Sequence, residues 1–259
     1  VKHNTVDGLG VTAKELKDIT LGPCFADYAG RMKAFPVYSS LTDHSKDKLF
    51  ETWSVDDVPM PVTSIEGYNG YFSLVEKKTR YREAYGYKQS ISELPQALDK
   101  LIFKLGPRSN HRCKPMKILI LDGSKTNLGS SLERFCQNIS NPTEPVIKRY
   151  VSAPYKHQQN LSESNVQQGK NNMRINLAYN QAPSILWFKA LRYGNRNSNL
   201  SVAPKTKNSR HEAMTVVRPD VSHYVPFYAV GYAHSQKDPT RNALSDRATR
   251  VRMIGYGDD

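Results

Sequence analysis

Seven histidines (His3, His44, His111, His157, His211, His223 and His234) and three cysteines (Cys24, Cys113 and Cys136) are the side chains of this 259-residue chain best suited to ligate a metal or act as nucleophiles. None falls in H-x-x-x-H, H-E-x-x-H or C-x-x-C spacing, so no local zinc or metalloprotease site is encoded. Three thiols cannot close a disulfide framework, and neither Cys24 nor Cys136 has the sequence context of a nucleophile. No G-x-S-x-G elbow is present. The expectation is a chain with no catalytic residues and no metal.

Two strings invite a sharper interpretation. Lys117-Ile118-Leu119-Ile120-Leu121-Asp122-Gly123-Ser124-Lys125-Thr126-Asn127-Leu128-Gly129 is similar to the first strand and phosphate loop of a flavodoxin-like domain. It lacks Walker spacing, and the expected downstream strands and polar loops leave no further βα units for a doubly wound fold. Tyr256-Gly257-Asp258-Asp259 spells the metal-holding string of RNA-dependent polymerases, where it sits inside a far larger domain; chance recurrence is the expectation here.

Tyrosine carries more information, with 15 Tyr against 8 Phe and 2 Trp. Tyr81, Tyr85 and Tyr87 lie among Lys77, Lys78, Arg80, Arg82 and Lys88, while Tyr224, Tyr228 and Tyr232 recur every four residues between His223 and His234. Tyr interleaved with Lys and Arg can stack on single-stranded nucleic acid, form a dense protein interface, or fill the domain's own core. Tyr81, Tyr85, Tyr87, Tyr224, Tyr228, Tyr232 and His234 are therefore the contact and pH-switch candidates, since a buried phenol that ionises near pH 10 cannot be solvated. The 37 Lys and Arg against 24 Asp and Glu give a net charge of +13, which suits an anionic partner or a solvated basic surface. No run of five or six like charges marks a disordered basic arm.

The elements that must position these residues follow from periodicity. The composition, 38% hydrophobic and 24% charged, is that of a globular protein, and no stretch of about 18 apolar residues is present to span a membrane. Thr12–Ile19 reads as a short capped helix, Cys24–Met32 and Ser45–Phe50 as weaker helices, and Asp56–Pro61 as a proline break. Tyr71–Glu76 is a strand, followed by a helix from a Ser90/Glu93 capping box through Leu94, Leu98, Leu101, Ile102 and Leu105. Met116–Leu121 is a buried strand. Val146–Val151, Met173–Leu177, Ile185–Leu191, Met214–Arg218 and Tyr224–Tyr232 are further strand candidates, with polar loops at Gln158–Asn172 and Gly194–Asn199. The expected fold is mainly β (α+β): an antiparallel β-sandwich or jelly-roll-like core with an N-terminal helix and one long amphipathic helix packed on it. The expectation is a single compact domain, with residues 1–66 as an N-terminal helical and loop arm and 67–259 as the sandwich core.

Gly70-Tyr71-Phe72-Ser73-Leu74-Val75-Glu76-Lys77, Tyr81 and Ser90–Leu98, then Ser109-Asn110-His111, Lys114–Ile120, and Tyr228-Ala229-Val230-Gly231-Tyr232-Ala233-His234, together resemble the cypovirus polyhedrins in order along the chain. The resemblance implies a β-sandwich structural protein rather than an enzyme. It would assemble as homotrimers into an intracellular crystal that embeds virus particles in the host cytoplasm and dissolves in alkali. No cofactor is required, but ATP-, GTP- or CTP-like nucleotides between molecules are implied as lattice partners; their site residues are unknown, and no membrane is involved. Two other classes compete. Val225-Pro226-Phe227-Tyr228 resembles a late strand of picornavirus-like jelly-roll capsid subunits, and the Tyr-rich basic segments suit a nucleotide- or RNA-binding module.

Overall fold

Trp53 and Val55 alternate with Ser54 and Asp56 in Thr52–Pro59, a period of two that builds the central strand, β1. The computed structural model describes residues 48–89, 91–105, 116–121, 130–138, 147–151, 161–202, 207–234 and 248–257. β1 pairs antiparallel with β2 (Gly70–Glu76), and β2 antiparallel with β3 (Arg82–Tyr87). On its other side β1 runs parallel to β4 (Ile118–Leu121), and β4 parallel to β5 (Lys148–Val151). The order β3-β2-β1-β4-β5 makes a mixed sheet with β3 at one edge.

Two helical layers cover this sheet. On one face α1 (Leu94–Leu105) presents Leu94, Leu98, Leu101 and Leu105 at helical spacing to Trp53, Val55, Phe72, Leu74 and Leu119. Leu132 and Cys136 of α2 (Ser130–Asn138) join the same cluster. Each such leucine, removed from water, contributes about 1.5–3 kcal/mol. On the other face α3 (Leu161–Tyr179) and α4 (Trp187–Leu200) pack Met173, Trp187, Phe188 and Leu191 against Val58, Tyr71 and Ala84. All seven β2 residues are buried because both faces are covered. A short helix, α5 (Arg210–Thr215), is capped by Ser209, whose hydroxyl accepts from the Glu212 N–H at 3.0 Å. β6 (Val230–His234) and β7 (Ala248–Arg252) form a separate antiparallel ribbon.

The α+β class therefore holds, but the described residues do not form the expected antiparallel sandwich. The sequence predicts a loop over Gln158–Asn172 and a strand over Met173–Leu177; both belong to the single helix α3. Ile185–Leu191 and Gly194–Asn199 become a 3₁₀ turn (Ser184–Leu186) and α4, and Met214–Arg218 begins as the end of α5. The cause is shared: these helices bury Ser162, Asn165, Asn195, Ser198 and Asn199, so their inward stripe carries polar residues that mask a hydrophobic period. Of Tyr224–Tyr232 only the part from Val230 is strand, whereas Val146–Val151 is met by β5.

Asp56–Pro61 was expected to interrupt regular structure, yet Asp56–Pro59 completes β1. Among the described residues β4 pairs with β1 only over Thr52–Val55, so Pro59, opposite Gly70 of β2, has a described ladder neighbour on one side only. The boundary expected at residues 66–67 consequently falls between two paired strands. The expected helices at Thr12–Ile19 and Cys24–Met32, together with Cys24 and Cys113, lie outside the described residues, and of Ser45–Phe50 only residues 48–50 are described.

α3 and α4 approach closely at two glycines. A Cβ on Gly194 would stand 2.9 Å from the Asn172 Cβ, and one on Gly169 would stand 3.3 Å from Leu191 Cδ1. Alanine in a helix ordinarily gains up to about 1 kcal/mol over glycine. At Gly194 the clash with a Cβ, which cannot swing aside, outweighs that gain. Gly194→Ala is expected to destabilise the protein by about 1–3 kcal/mol, read as a lower urea midpoint at unchanged slope; an unchanged or raised midpoint would show that the helices can separate freely.

Candidate functional site

α3 lies on the sheet along a narrow seam of small and polar residues. The Ser162 hydroxyl is hydrogen-bonded to that of Ser54 on β1, and Asn165 Nδ2 donates to Ser73 Oγ on β2 at 2.8 Å. Gly169 then passes beneath the Tyr71 hydroxyl. Ser73 is the register partner of Asp56, so the first turn of α3 is clamped on either side of that aspartate. The pleat decides where each of two adjacent acids goes. Ser54 and Val58 contact the α3–α4 layer, and Asp56 shares their face. Asp57 points to the α1 face, where the Tyr87 hydroxyl donates to it.

Glu163 follows Ser162 in the first turn of α3 and is exposed. Its flank of the helix is fixed by what holds the opposite flank. Arg82 of β3 bonds Gln168, while Asn172 Nδ2 donates to Ser198 Oγ at 3.1 Å and Asn176 Nδ2 to the Ala190 carbonyl at 2.9 Å on α4. At 100° per residue, Glu163, Gln167 and Lys170 therefore lie on the side of the helix turned away from β3 and α4. The turn that carries Glu163 is thus tied to the strand that carries Asp56. β4 ends with Leu121 opposite Val55; Asp122, next in the sequence, lies outside the described residues. The charge on Asp56 reaches the Tyr71 hydroxyl, whose pKa is raised first by burial and then by that aspartate. Among the described residues no group of three or more His, Cys, Asp and Glu side chains comes together to hold a metal ion.

The tyrosines singled out by sequence are dispersed. Tyr81 and Tyr87 are buried in the α1-side core, Tyr81 donating to Glu83 Oε1 at 3.0 Å, and Tyr85 is half-buried against the same cluster. Tyr224 and Tyr228 are half-buried around the other cluster, while Tyr232 is 73% exposed on β6 beside the exposed His234. The polymerase-like string resolves differently: the Tyr256 hydroxyl accepts from the Val225 N–H at 2.6 Å, and the ring stacks on Tyr224 at 5.1 Å. Asp56 and Glu163 were not among the sequence candidates. The available signal was an acid in a strand-like alternation and another just inside the start of a helix, hidden by the proline-break and polar-loop assignments.

Burial raises the pKa of Tyr71, Tyr85 and Tyr224, with nearby Asp56 and Glu83 adding to it for the first two and Tyr193 for the third. The folded chain thus holds protons that the unfolded chain releases near pH 10, and stability falls as pH rises beyond that point. Each fully protonated tyrosine is expected to remove about 1.4 kcal/mol per pH unit above pH 10. Urea midpoints from pH 9 to 11 should drop, less steeply in Tyr71→Phe; parallel curves for the two proteins would refute this.

No protein-family model matches the sequence, and no curated protein does either. Among the described residues, no helix is long and apolar enough to cross a membrane. The fold is similar to a chain of the simian T-cell lymphotropic virus intasome, solved in complex with PP2A regulatory subunit B56 gamma. That likeness has a TM-score of 0.51 at 17% identity, covering 94% of this chain and 81% of that one. A second likeness is to the HTLV-2 integrase catalytic core domain in complex with magnesium, with a TM-score of 0.47 at 15% identity, covering 64% of this chain and 97% of that one.

Proposed function

We propose that this chain is a nucleic-acid-processing core that cuts or joins phosphodiesters with the carboxylates of Asp56 and Glu163. The observation that carries this reading is the clamp between α3 and the sheet, which ties the turn carrying Glu163 to the central strand carrying Asp56. The net charge of +13 suits a polyanionic substrate, and the fold likeness to a chain of a viral intasome is compatible with work on DNA. The proposal runs against the expectation of a non-enzymatic chain.

The donor set fits a hard divalent cation, because Mg²⁺ is held by oxygen ligands and needs only one or two carboxylates besides water and substrate phosphates. When bound, such an ion polarises a phosphoryl oxygen and eases deprotonation of an attacking hydroxyl. The protein's own part is positional. Asp56 is held by ladder bonding in the middle of the sheet, and the two clamps, Ser54–Ser162 and Ser73–Asn165, fix the turn that carries Glu163. Lys170, two turns along the same flank, supplies a cation for the adjoining phosphate.

A second proposal remains from the polyhedrin resemblance: self-assembly into an alkali-soluble occlusion body, favoured by the burial-raised tyrosines. One preparation tests both. The purified chain with Mg²⁺ or Mn²⁺ is expected to nick or join a labelled duplex oligonucleotide. Asp56→Asn and Glu163→Gln should each lose at least about a hundredfold, some 2.7 kcal/mol of barrier, with circular dichroism unchanged. Activity indifferent to both substitutions, or no activity alongside intracellular crystals that dissolve above about pH 10, would reject the catalytic reading.

A further inference from the structure

We propose that the cavity beside the edge strand β3 is a phosphate-binding site that seats the backbone of a nucleic-acid strand. This inference is independent of the carboxylate site. The cavity has a volume of about 460 Å³, within the usual range for ligand clefts. Six cations line it, Arg82, Lys104, Lys189, Arg192, Arg196 and Arg218, against two carboxylates, Glu83 and Asp220. Lys104 is taken by Glu83 at 3.0 Å and Lys189 by Glu66 at 3.3 Å, so the lining acids do not balance the arginines.

Arg82 is the decisive residue. It is only 7% exposed and its Nη2 donates to Gln168, but its Nε and Nη1 are buried with no hydrogen-bond partner. A buried guanidinium with unmet donors is costly unless an anion completes it. Burial and the positive charges of Arg210 and Arg80 push its pKa down to about 10, the opposite of what an acidic partner would do. Arg196 lines the same cavity and is held by a ring stack: its guanidinium lies 4.4 Å over the Tyr256 ring, itself stacked on Tyr224, and its buried Nε likewise has no partner. Planar, forked donors fixed in place match a phosphate's oxygens. The rim residues Ile254–Gly257 follow directly from β7, whose Arg250 and Arg252 are exposed. Positive charge therefore continues beyond the cavity, as a strand of phosphates requires and a single phosphate does not.

Fluorescence anisotropy of the full chain with a 20-nucleotide single-stranded DNA, across a salt series, tests the assignment. Arg82→Gln is expected to weaken binding about tenfold and to flatten the log–log salt slope by about one. Inorganic phosphate should raise the melting temperature of the wild type but not of Arg82→Gln. If that variant does not fold, the half-buried Arg196→Gln should give a three- to tenfold loss in the same assay. Phosphate stabilisation with unchanged DNA affinity would assign the cavity to a small phosphorylated molecule and overturn the strand proposal; no change in either measurement would overturn the site. Asp56→Asn that still binds DNA while the arginine variants do not would separate this site from the catalytic reading.

Discussion

A helix can lie close on a sheet only where its inward residues are small, and the Ser162–Asn165–Gly169 seam of α3 is the contact on which the rest of this molecule depends. Two side-chain hydrogen bonds tie it to Ser54 and Ser73, and Gly169 leaves room for Tyr71 on one side and Leu191 on the other. Leucines at these positions would add apolar area but push the helix outward by the depth of a side chain. Directional bonds in a low-dielectric layer instead fix both height and rotation of the helix. Rotation is what matters for the proposed chemistry, because it decides which side of the helix carries Glu163, next to the clamped Ser162.

The second organising feature is the separation of unlike charge. The acids proposed for chemistry belong to the central strand and the helix tied to it, whereas six cations line the cavity beside β3 at the sheet's edge. A third carboxylate, Glu76, is fully buried between them in sequence, accepting from the N–H groups of Phe50 and Thr79 and from the Thr79 hydroxyl. Burial raises its pKa and those hydrogen bonds oppose the shift, which suits a residue that stitches the start of β1 to the β2–β3 turn. Glu76 is satisfied by its own neighbourhood, and Arg82 is not. That contrast is why the phosphate site is proposed at Arg82 and a structural role is assigned to Glu76.

Much of the α1 side of the fold was legible. Tyr71–Glu76, Met116–Leu121 and the Leu94–Leu105 stripe carry dense apolar residues at strand or helix spacing, and each forms the element its spacing predicts, as β2, β4 and α1. The opposite layer was not legible. α3 and α4 turn serines, asparagines and glycines inward, so the period that identifies a helix is carried by residues that also signal loops. Prolines after the aspartates of β1 disguise the strand, because proline's tolerance there depends on which strand lies alongside.

The amino-acid sequence by itself determined the elements whose burial is apolar, the excess of positive charge and the absence of any local metal or nucleophile motif, since these depend on residue type and short spacing alone. Only the tertiary structure decided that β1 is central, that β4 and β5 run parallel to it, and that the helix turn carrying Glu163 is tied to the strand carrying Asp56, more than a hundred residues away. Strand order and helix rotation are set by contacts between segments distant in sequence, and no local pattern encodes such contacts.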